Sequence, residues 1–317
     1  MRIAFIGKGG SGKSTVSALF VDYLSKNFPE KIILAVDADL NIHLARYLGF
    51  INIKEENFLS YHKNILNIKK YLIGSSKNIK NTDEFLKTTP PSQGVNIIEI
   101  RSGNFVLENF SLKKNNIYLM IVGTYQKEEI GTACYHVNLS IYENILNFTK
   151  DYDNFIVSDM VAGIDFFANT LFNSFDMFVL VVEPNIGNLK IYEKLKELAK
   201  EVKIEDRIFL VGNKILRDKD RDFILENFDK NKIIGFINFD EYLYNFDFEI
   251  SPIDYNKIDE NNKPVFGKIY EQLIKNQVDP NERLKKLKEI HLKYISKESI
   301  KKRFGDLSYQ IDESFSF

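Results

Sequence analysis

MRIAFIGKGGSGKST, residues 1–15, sets a short apolar run, Ile3–Ile6, directly before a loop of four glycines and two lysines. Gly7 to Ser14 satisfy G-x-x-x-x-G-K-[ST], and the flanks supply the context that this pattern needs, a strand before it and a helix-forming stretch after it. The glycines let backbone N–H groups curl around phosphate oxygens, and the helix N-terminus adds partial positive charge. Gly9, Gly10, Ser11, Gly12, Lys13, Ser14 and Thr15 are therefore candidate phosphate-binding residues. Lys13 is placed to bridge the β- and γ-phosphates, and the Ser14 hydroxyl to hold Mg²⁺. Lys8 is not needed for that cradle.

Outward from the loop, short apolar runs alternate with amphipathic stretches. The runs are Ile3–Ile6, Ile32–Val36, Ile97–Ile100, Ile117–Val122, Phe155–Val157, Met177–Val182, Ile208–Val211 and Ile233–Phe236. Bounded by Asp, Gly, Pro or Asn, they read as buried parallel strands. Ser14–Asn27 and Leu189–Val202 read as crossover helices. The pattern predicts an α/β fold, a doubly wound, mostly parallel sheet with helices on both faces. Ligands in such sheets sit at the carboxyl ends of the strands, so the residues after each run are the candidates. Residues 1–278 form the expected main domain, with helices and loop at 51–96. A basic helix and tail are expected over 279–317.

The chain has 317 residues, 44% hydrophobic and 27% charged, with a net charge of −1. That balance suits a globular protein and argues against whole-protein attraction to nucleic acid. No apolar stretch approaches the roughly 20 residues of a membrane span. With Cys134 the only cysteine, no internal disulfide can form, and a cytoplasmic location is expected.

The second strand ends Ala35-Val36-Asp37-Ala38-Asp39, and another ends Ile156-Val157-Ser158-Asp159. Phosphoryl transfer needs a carboxylate to orient the attacking water and others to support Mg²⁺. A hydrophobic run ending in Asp assigns Asp159 to magnesium, through water. Residues 161–165 would sense the γ-phosphate.

Lysine directly after the first glycine makes the loop G-K-G-G-x-G-K-[ST]. It resembles the deviant Walker A loop of the P-loop NTPases of the MinD, ParA and nitrogenase iron protein superfamily. The resemblance implies an ATPase in which Lys8 reaches across a homodimer to the partner's phosphates, with Lys8, Lys13 and Asp39 as catalytic residues. It also implies that Asp39 orients water while Asp37 supports the metal's water shell, although Leu40 stands where the superfamily has proline. Val182-Glu183-Pro184 and Val211-Gly212-Asn213-Lys214 match the base pocket, making Pro184 and Asn213 candidate nucleotide contacts. Leu216 stands where a guanine-specific N-K-x-D would need aspartate, which favours ATP.

Gly131-Thr132-Ala133-Cys134-Tyr135-His136, with Asp159-Met160-Val161-Ala162-Gly163-Ile164 downstream, is similar to the nickel-insertion accessory ATPases of carbon monoxide dehydrogenase. Those carry C-x-C and a switch ending Glu-His, where this chain has Cys134/His136 and Asp165-Phe166. The resemblance implies a transition metal, Ni²⁺ or Zn²⁺, held by Cys134 and His136 from both subunits and delivered to a client metalloenzyme. Position 134 as simple core is the plain alternative. One cysteine per chain gives a dimer two thiolates, too few for a shared [4Fe–4S] cluster.

From Arg283 to Arg303 there are nine basic and two acidic residues. Asp279-Pro280 marks a helix start and Gly305 a stop. Such a helix packs an apolar stripe on the domain, or docks on an acidic partner or a membrane surface, as in a MinD/ParA-like positioning ATPase.

Overall fold

The computed structural model describes residues 1–124, 135–246 and 251–317, with the backbone alone at 135–137 and 165. The strands are β1 (Arg2–Gly7), β2 (Ile33–Ala38), β3 (Ile98–Glu99), β4 (Leu112–Lys114), β5 (Ile117–Ile121), β6 (Thr149–Lys150), β7 (Phe155–Met160), β8 (Met177–Val182), β9 (Ile208–Ile215) and β10 (Ile233–Asn238). Eight of them form one sheet in the order β10-β9-β8-β1-β7-β2-β5-β4, parallel except at the β4 edge. β1 lies between β7 and β8, so its carboxyl end opens at the sheet's centre.

Alternate residues of each strand feed two cores. Ile3 and Phe5 of β1 face α1 (Lys13–Asn27), α2 (His43–Tyr47) and, later in the chain, residues of 241–275. Ala4 and Ile6 face the opposite layer, built from α3 (His62–Ile73), α4 (Phe105–Phe110), α5 (Tyr135–Asn147), α6 (Ile186–Val202) and α7 (Asp218–Asn227). Phe246 of α8 (Glu241–Phe246) and Phe266 and Ile269 of α9 (Pro264–Lys275) complete the first layer. The doubly wound α/β expectation holds.

Two expectations change. Ile97–Ile100 does not join the main sheet; β3 pairs only with β6 in a two-stranded parallel ribbon. The edge is filled by β4, which folds back on β5 through Asn115-Asn116, with Asn115 at φ 54°. Asparagine tolerates that left-handed turn, so the tight hairpin excludes the neighbouring run. The basic C-terminal stretch is two helices, α10 (Pro280–Ile295) and α11 (Glu298–Phe304). The break falls where the Ser296 hydroxyl donates back to the Lys293 carbonyl and Lys297 turns extended. Leu284, Leu287, His291 and Ile295 form the buried stripe of α10. The 51–96 region contributes α3, whose Ile68 and Leu72 are buried. Among the described residues no helix is long and apolar enough to cross a membrane.

Candidate nucleotide site at the carboxyl ends of the strands

The loop after β1 depends on its glycines. Gly10 and Gly12 have φ of 85° and 88°, a region L side chains avoid. A Cβ on Gly12 would lie 2.2 Å from Asn213 Nδ2. The Asn213 amide donates to the Ser11 carbonyl at 2.8 Å, and Lys214 Nζ donates to the Gly10 carbonyl at 2.7 Å. Lys214 also pairs with Glu183 at 2.6 Å. The base-side strand ends β8 and β9 therefore hold the loop directly.

Parallel register sets the carboxylates side by side, because Asp37 of β2 is paired with Asp159 of β7. Lys13, at the start of α1, turns its ammonium onto this pair of strand ends. It donates to Asp39 Oδ2 and Asp159 Oδ1, each at 2.9 Å, with 5% of its side chain exposed. Burial by itself lowers the lysine's pKa, but the two carboxylates outweigh it and hold the group above its ordinary value. Burial by itself raises Asp39, and the Lys13 charge and hydrogen bond bring it below the usual range. Asp37 and Asp159, both fully buried, are pushed up by desolvation, and Asp37 also by the Asp159 charge. The cluster holds more carboxylate than its single ammonium can balance.

The three carboxylates differ in what they face. Asp37 Oδ2 accepts the Ala45 N–H at 3.0 Å, fixing α2 against the sheet. Asp39 opens into the cleft and accepts both the backbone and side-chain N–H of Asn41 at 3.1 Å. Asp159 Oδ2 has no hydrogen-bond partner among the described residues. A buried, unpartnered carboxylate oxygen beside the Ser14 position suits a hydrated divalent cation. Among the described residues no three His, Cys, Asp or Glu side chains are placed to ligate one metal together. Magnesium here would rest on the Ser14 hydroxyl, phosphate oxygens and water, not on a protein cage.

Two clefts meet at Gly12, Thr15 and Lys214. One, of about 240 Å³, is lined by the loop, Asp39, Asn41, His43 and Tyr47. The other, of about 440 Å³, is lined by Val16, Asn213, Asp240, Leu243 and the half-exposed rings of Phe239 and Tyr244, whose centroids lie 5.8 Å apart. The first has the polarity of a phosphate site and the second that of a base site. Phe239 and Tyr244 follow β10, where the strand-end rule already pointed, but they carry no motif of their own. His43 also lines the phosphate cleft.

Of the residues expected at the site, Lys8, Gly9, Gly10, Gly12, Lys13, Ser14, Thr15 and Asp39 line the phosphate cleft, and Asn213 lines the base cleft. Ser11 is buried and presents its carbonyl to Asn213. Lys8 is exposed, its ammonium lying over the start of α6 near Gly187. Pro184 lines neither cleft; at that turn the neighbouring Glu183 reaches the site only through its ion pair with Lys214. Cys134 lies outside the described residues, and His136 is placed only as backbone in the first turn of α5.

The switch stretch is tied to the loop through Gly163, whose N–H donates to the Gly7 carbonyl at 2.8 Å. Gly9 faces Ala162, with a hypothetical Cβ 4.0 Å from the alanine methyl.

A profile of the CobQ/CobB/MinD/ParA nucleotide binding domain matches residues 3–253. An uncharacterized ATP-binding protein of Methanocaldococcus jannaschii is 25% identical over 244 residues, 75% of this chain and 87% of that protein. The carbon monoxide dehydrogenase accessory protein CooC of Rhodospirillum rubrum is 28% identical over 242 residues, 76% of this chain and 84% of that protein. Among solved structures, a candidate plasmid partition protein of Borrelia burgdorferi bound to AMPPNP superposes with a TM-score of 0.56 at 17% identity. It covers 87% of this chain and 99% of that one.

Proposed function

The chain belongs to the CobQ/CobB/MinD/ParA nucleotide-binding domain family, and from that premise we propose that it is an ATP-hydrolysing switch that works as a homodimer. The observation that carries this reading is the buried contact of Lys13 with Asp39 and Asp159 beneath the glycine loop. ATP phosphates entering the cleft offer Lys13 a stronger anionic partner than two half-balanced carboxylates. Its transfer to the phosphates leaves Asp39 free to orient a water against the γ-phosphorus. It would also leave Asp159, with the Ser14 hydroxyl, to hold hydrated Mg²⁺, which would supply positive charge beside the departing ADP. Adenine fits against Phe239 and Tyr244, with Asn213 at its edge.

Lys8 supports the dimeric part of the reading. It is exposed on the loop, and while its carbonyl accepts the Ser11 N–H at 3.1 Å, its ammonium makes no hydrogen bond or ion pair among the described residues. In a dimer it would neutralise charge on the partner's phosphates, as an arginine finger does.

For the output we propose nickel delivery to a metalloenzyme client, with Cys134 and His136 as the ligands shared across the dimer. The likeness to CooC supports it, and a thiolate–imidazole set suits Ni²⁺ or Zn²⁺. The positioning alternative, acting through an acidic partner or a membrane surface, has less support, because the apolar stripe of α10 that a membrane would take is buried.

Hydrolysis is tested by phosphate release from Mg²⁺-ATP. Asp39→Asn should keep ATP binding and lose at least about a hundredfold in turnover, the scale of losing a water-orienting group. Equal turnover in both proteins would remove Asp39 from the chemistry. For the metal, about one Ni²⁺ or Zn²⁺ per dimer, lost in both Cys134→Ala and His136→Ala, would sustain delivery; no binding above the variants would end it.

A further inference from the structure

Beyond residue 253 the chain leaves the matched family domain; α9 completes the first layer, and residues 279–317 then reach the turns that follow the switch. The C-terminal segment is fastened at both ends. Arg283 Nη2 pairs with the buried Asp176, and the Arg283 carbonyl accepts the Asn173 amide at 3.0 Å. Farther on, buried Gln310 accepts from Thr89 and donates to the Glu84 carbonyl, each at 2.9 Å. The Gln93 N–H meets Asp312 at 2.9 Å, and His291 meets Thr88 at 2.9 Å. Residues 78–93 are thus the seat of the segment.

That seat is also tied to the turns that follow the switch. Lys87 Nζ donates to Asn169 Oδ1 at 3.0 Å and to the Ala168 carbonyl at 3.4 Å. The Thr170 N–H and hydroxyl both donate to Glu143 of α5, which is fully buried. The turns 165–173 therefore touch α5, the seat and α10 at once, and Gly163 ties their start to the phosphate loop.

Apart from the nucleotide site, this joint is where buried polar side chains without a partner concentrate. Nine buried side-chain polar atoms among the described residues lack a protein partner, and six of them gather here. They are Glu143 Oε2, Asn144 Oδ1, Asn169 Nδ2, Asn173 Oδ1, Arg283 Nε and His291 Nε2. Close-packed apolar contacts resist displacement, whereas a hydrogen-bonded joint has discrete alternative pairings and can change register.

We propose that residues 279–317 form a strap whose hold is coupled to the nucleotide site through the turns at 165–173. ATP, by drawing residues 161–164 onto its γ-phosphate, weakens the strap, and a weakened strap strengthens ATP binding. The inference rests on the ATP reading above. Its direction follows from the bonds present: Lys87 and Glu143 hold the turns in this arrangement, so moving the turns sacrifices those bonds. Linkage makes the coupling reciprocal, because whatever removes the bonds beforehand removes the cost from ATP binding.

The test is hydrogen exchange on the full chain, with and without Mg²⁺ and AMP-PNP, beside an AMP-PNP binding isotherm. The strap reading expects exchange to slow in peptides covering 7–16 and to quicken in peptides covering 283–310. In Lys87→Met the 283–310 peptides should already exchange faster without nucleotide, and AMP-PNP should bind about threefold to tenfold tighter. Thr170→Val, which keeps the backbone donor and loses the hydroxyl, should shift both readouts the same way. A purely structural role for Lys87 would leave affinity equal or weaker. Slowed exchange at 7–16 with unchanged or slower exchange at 283–310 overturns the strap and leaves ATP binding standing. Unchanged exchange at 7–16 overturns the ATP reading and the strap with it.

Discussion

Replacing Lys13 by methionine removes the one ammonium that the buried strand-end carboxylates share. Methionine keeps the unbranched apolar stem and loses only the terminal ammonium, so the change is chiefly one of charge. Each contact is 2.9 Å long, which at an effective dielectric of about 20 is roughly 6 kcal/mol of gross attraction per pair. Most of that is offset by desolvation, and removal of one partner from a buried pair typically costs about 3–5 kcal/mol. We expect Lys13→Met to lose about 3 kcal/mol in urea unfolding at pH 8 without nucleotide. The sign of its pH dependence is fixed by the carboxylates left behind. Without the lysine Asp37 and Asp159 rise further above the unfolded value and Asp39 loses the charge that held it below, so the folded protein holds extra protons and stability falls as pH rises. The deficit relative to the parent should therefore shrink at pH 5. Lys13→Met combined with Asp159→Asn should recover about 1 kcal/mol or more, because one uncompensated charge is gone. A deficit under about 1 kcal/mol, or one equal at pH 5 and pH 8, would refute a buried, charge-balancing lysine.

Gly12→Ala puts a methyl at φ 88° and within 2.2 Å of the Asn213 amide. About 2 kcal/mol of destabilisation in urea and a tenfold or greater loss of AMP-PNP affinity are expected. Burial pushes His291 down to about 4, below an unfolded value of about 6.5, so its contribution is full above pH 6.5 and fades as pH falls. Between pH 7 and pH 4.5 it should account for about 2–3 kcal/mol, seen as a loss that His291→Asn does not share. Burial pushes Glu143 up to about 7, and its contribution has the opposite slope, falling as pH rises through that value. Glu143→Gln should therefore be gaining on the parent in urea midpoint as pH is raised from 5 to 8.

The fold was legible because its signals are local and repeated. A glycine loop between strand and helix, and apolar runs ending in aspartate, leave few arrangements other than a doubly wound sheet. Ile97–Ile100 misled because an apolar run records burial and not which strand lies beside it; the Asn115-Asn116 turn decided that edge. Ser296 showed as a weak point only once its hydroxyl was seen bonded to the Lys293 carbonyl. At the site, Lys13, Asp39 and Asp159 were readable as types and positions. The direct contact between them was not, since it depends on the parallel register of β2 and β7. Phe239 and Tyr244 had no spacing rule to announce them. Glu143, Lys87 and the strap were invisible for the same reason, because no spacing rule links partners 27 residues apart, as Glu143 and Thr170 are, or 82, as Lys87 and Asn169 are.

The central claim is that ATP closes two copies of this chain on one another. Sedimentation equilibrium of Asp39→Asn with Mg²⁺-ATP, a variant expected to bind without turning over, measures it most directly. A shift from about the 36.9 kDa chain mass to twice that value, absent with ADP and abolished by adding Lys8→Ala, is the expected result. ATP binding with a mass that stays at one chain, or a dimer unaffected by Lys8→Ala, would contradict it.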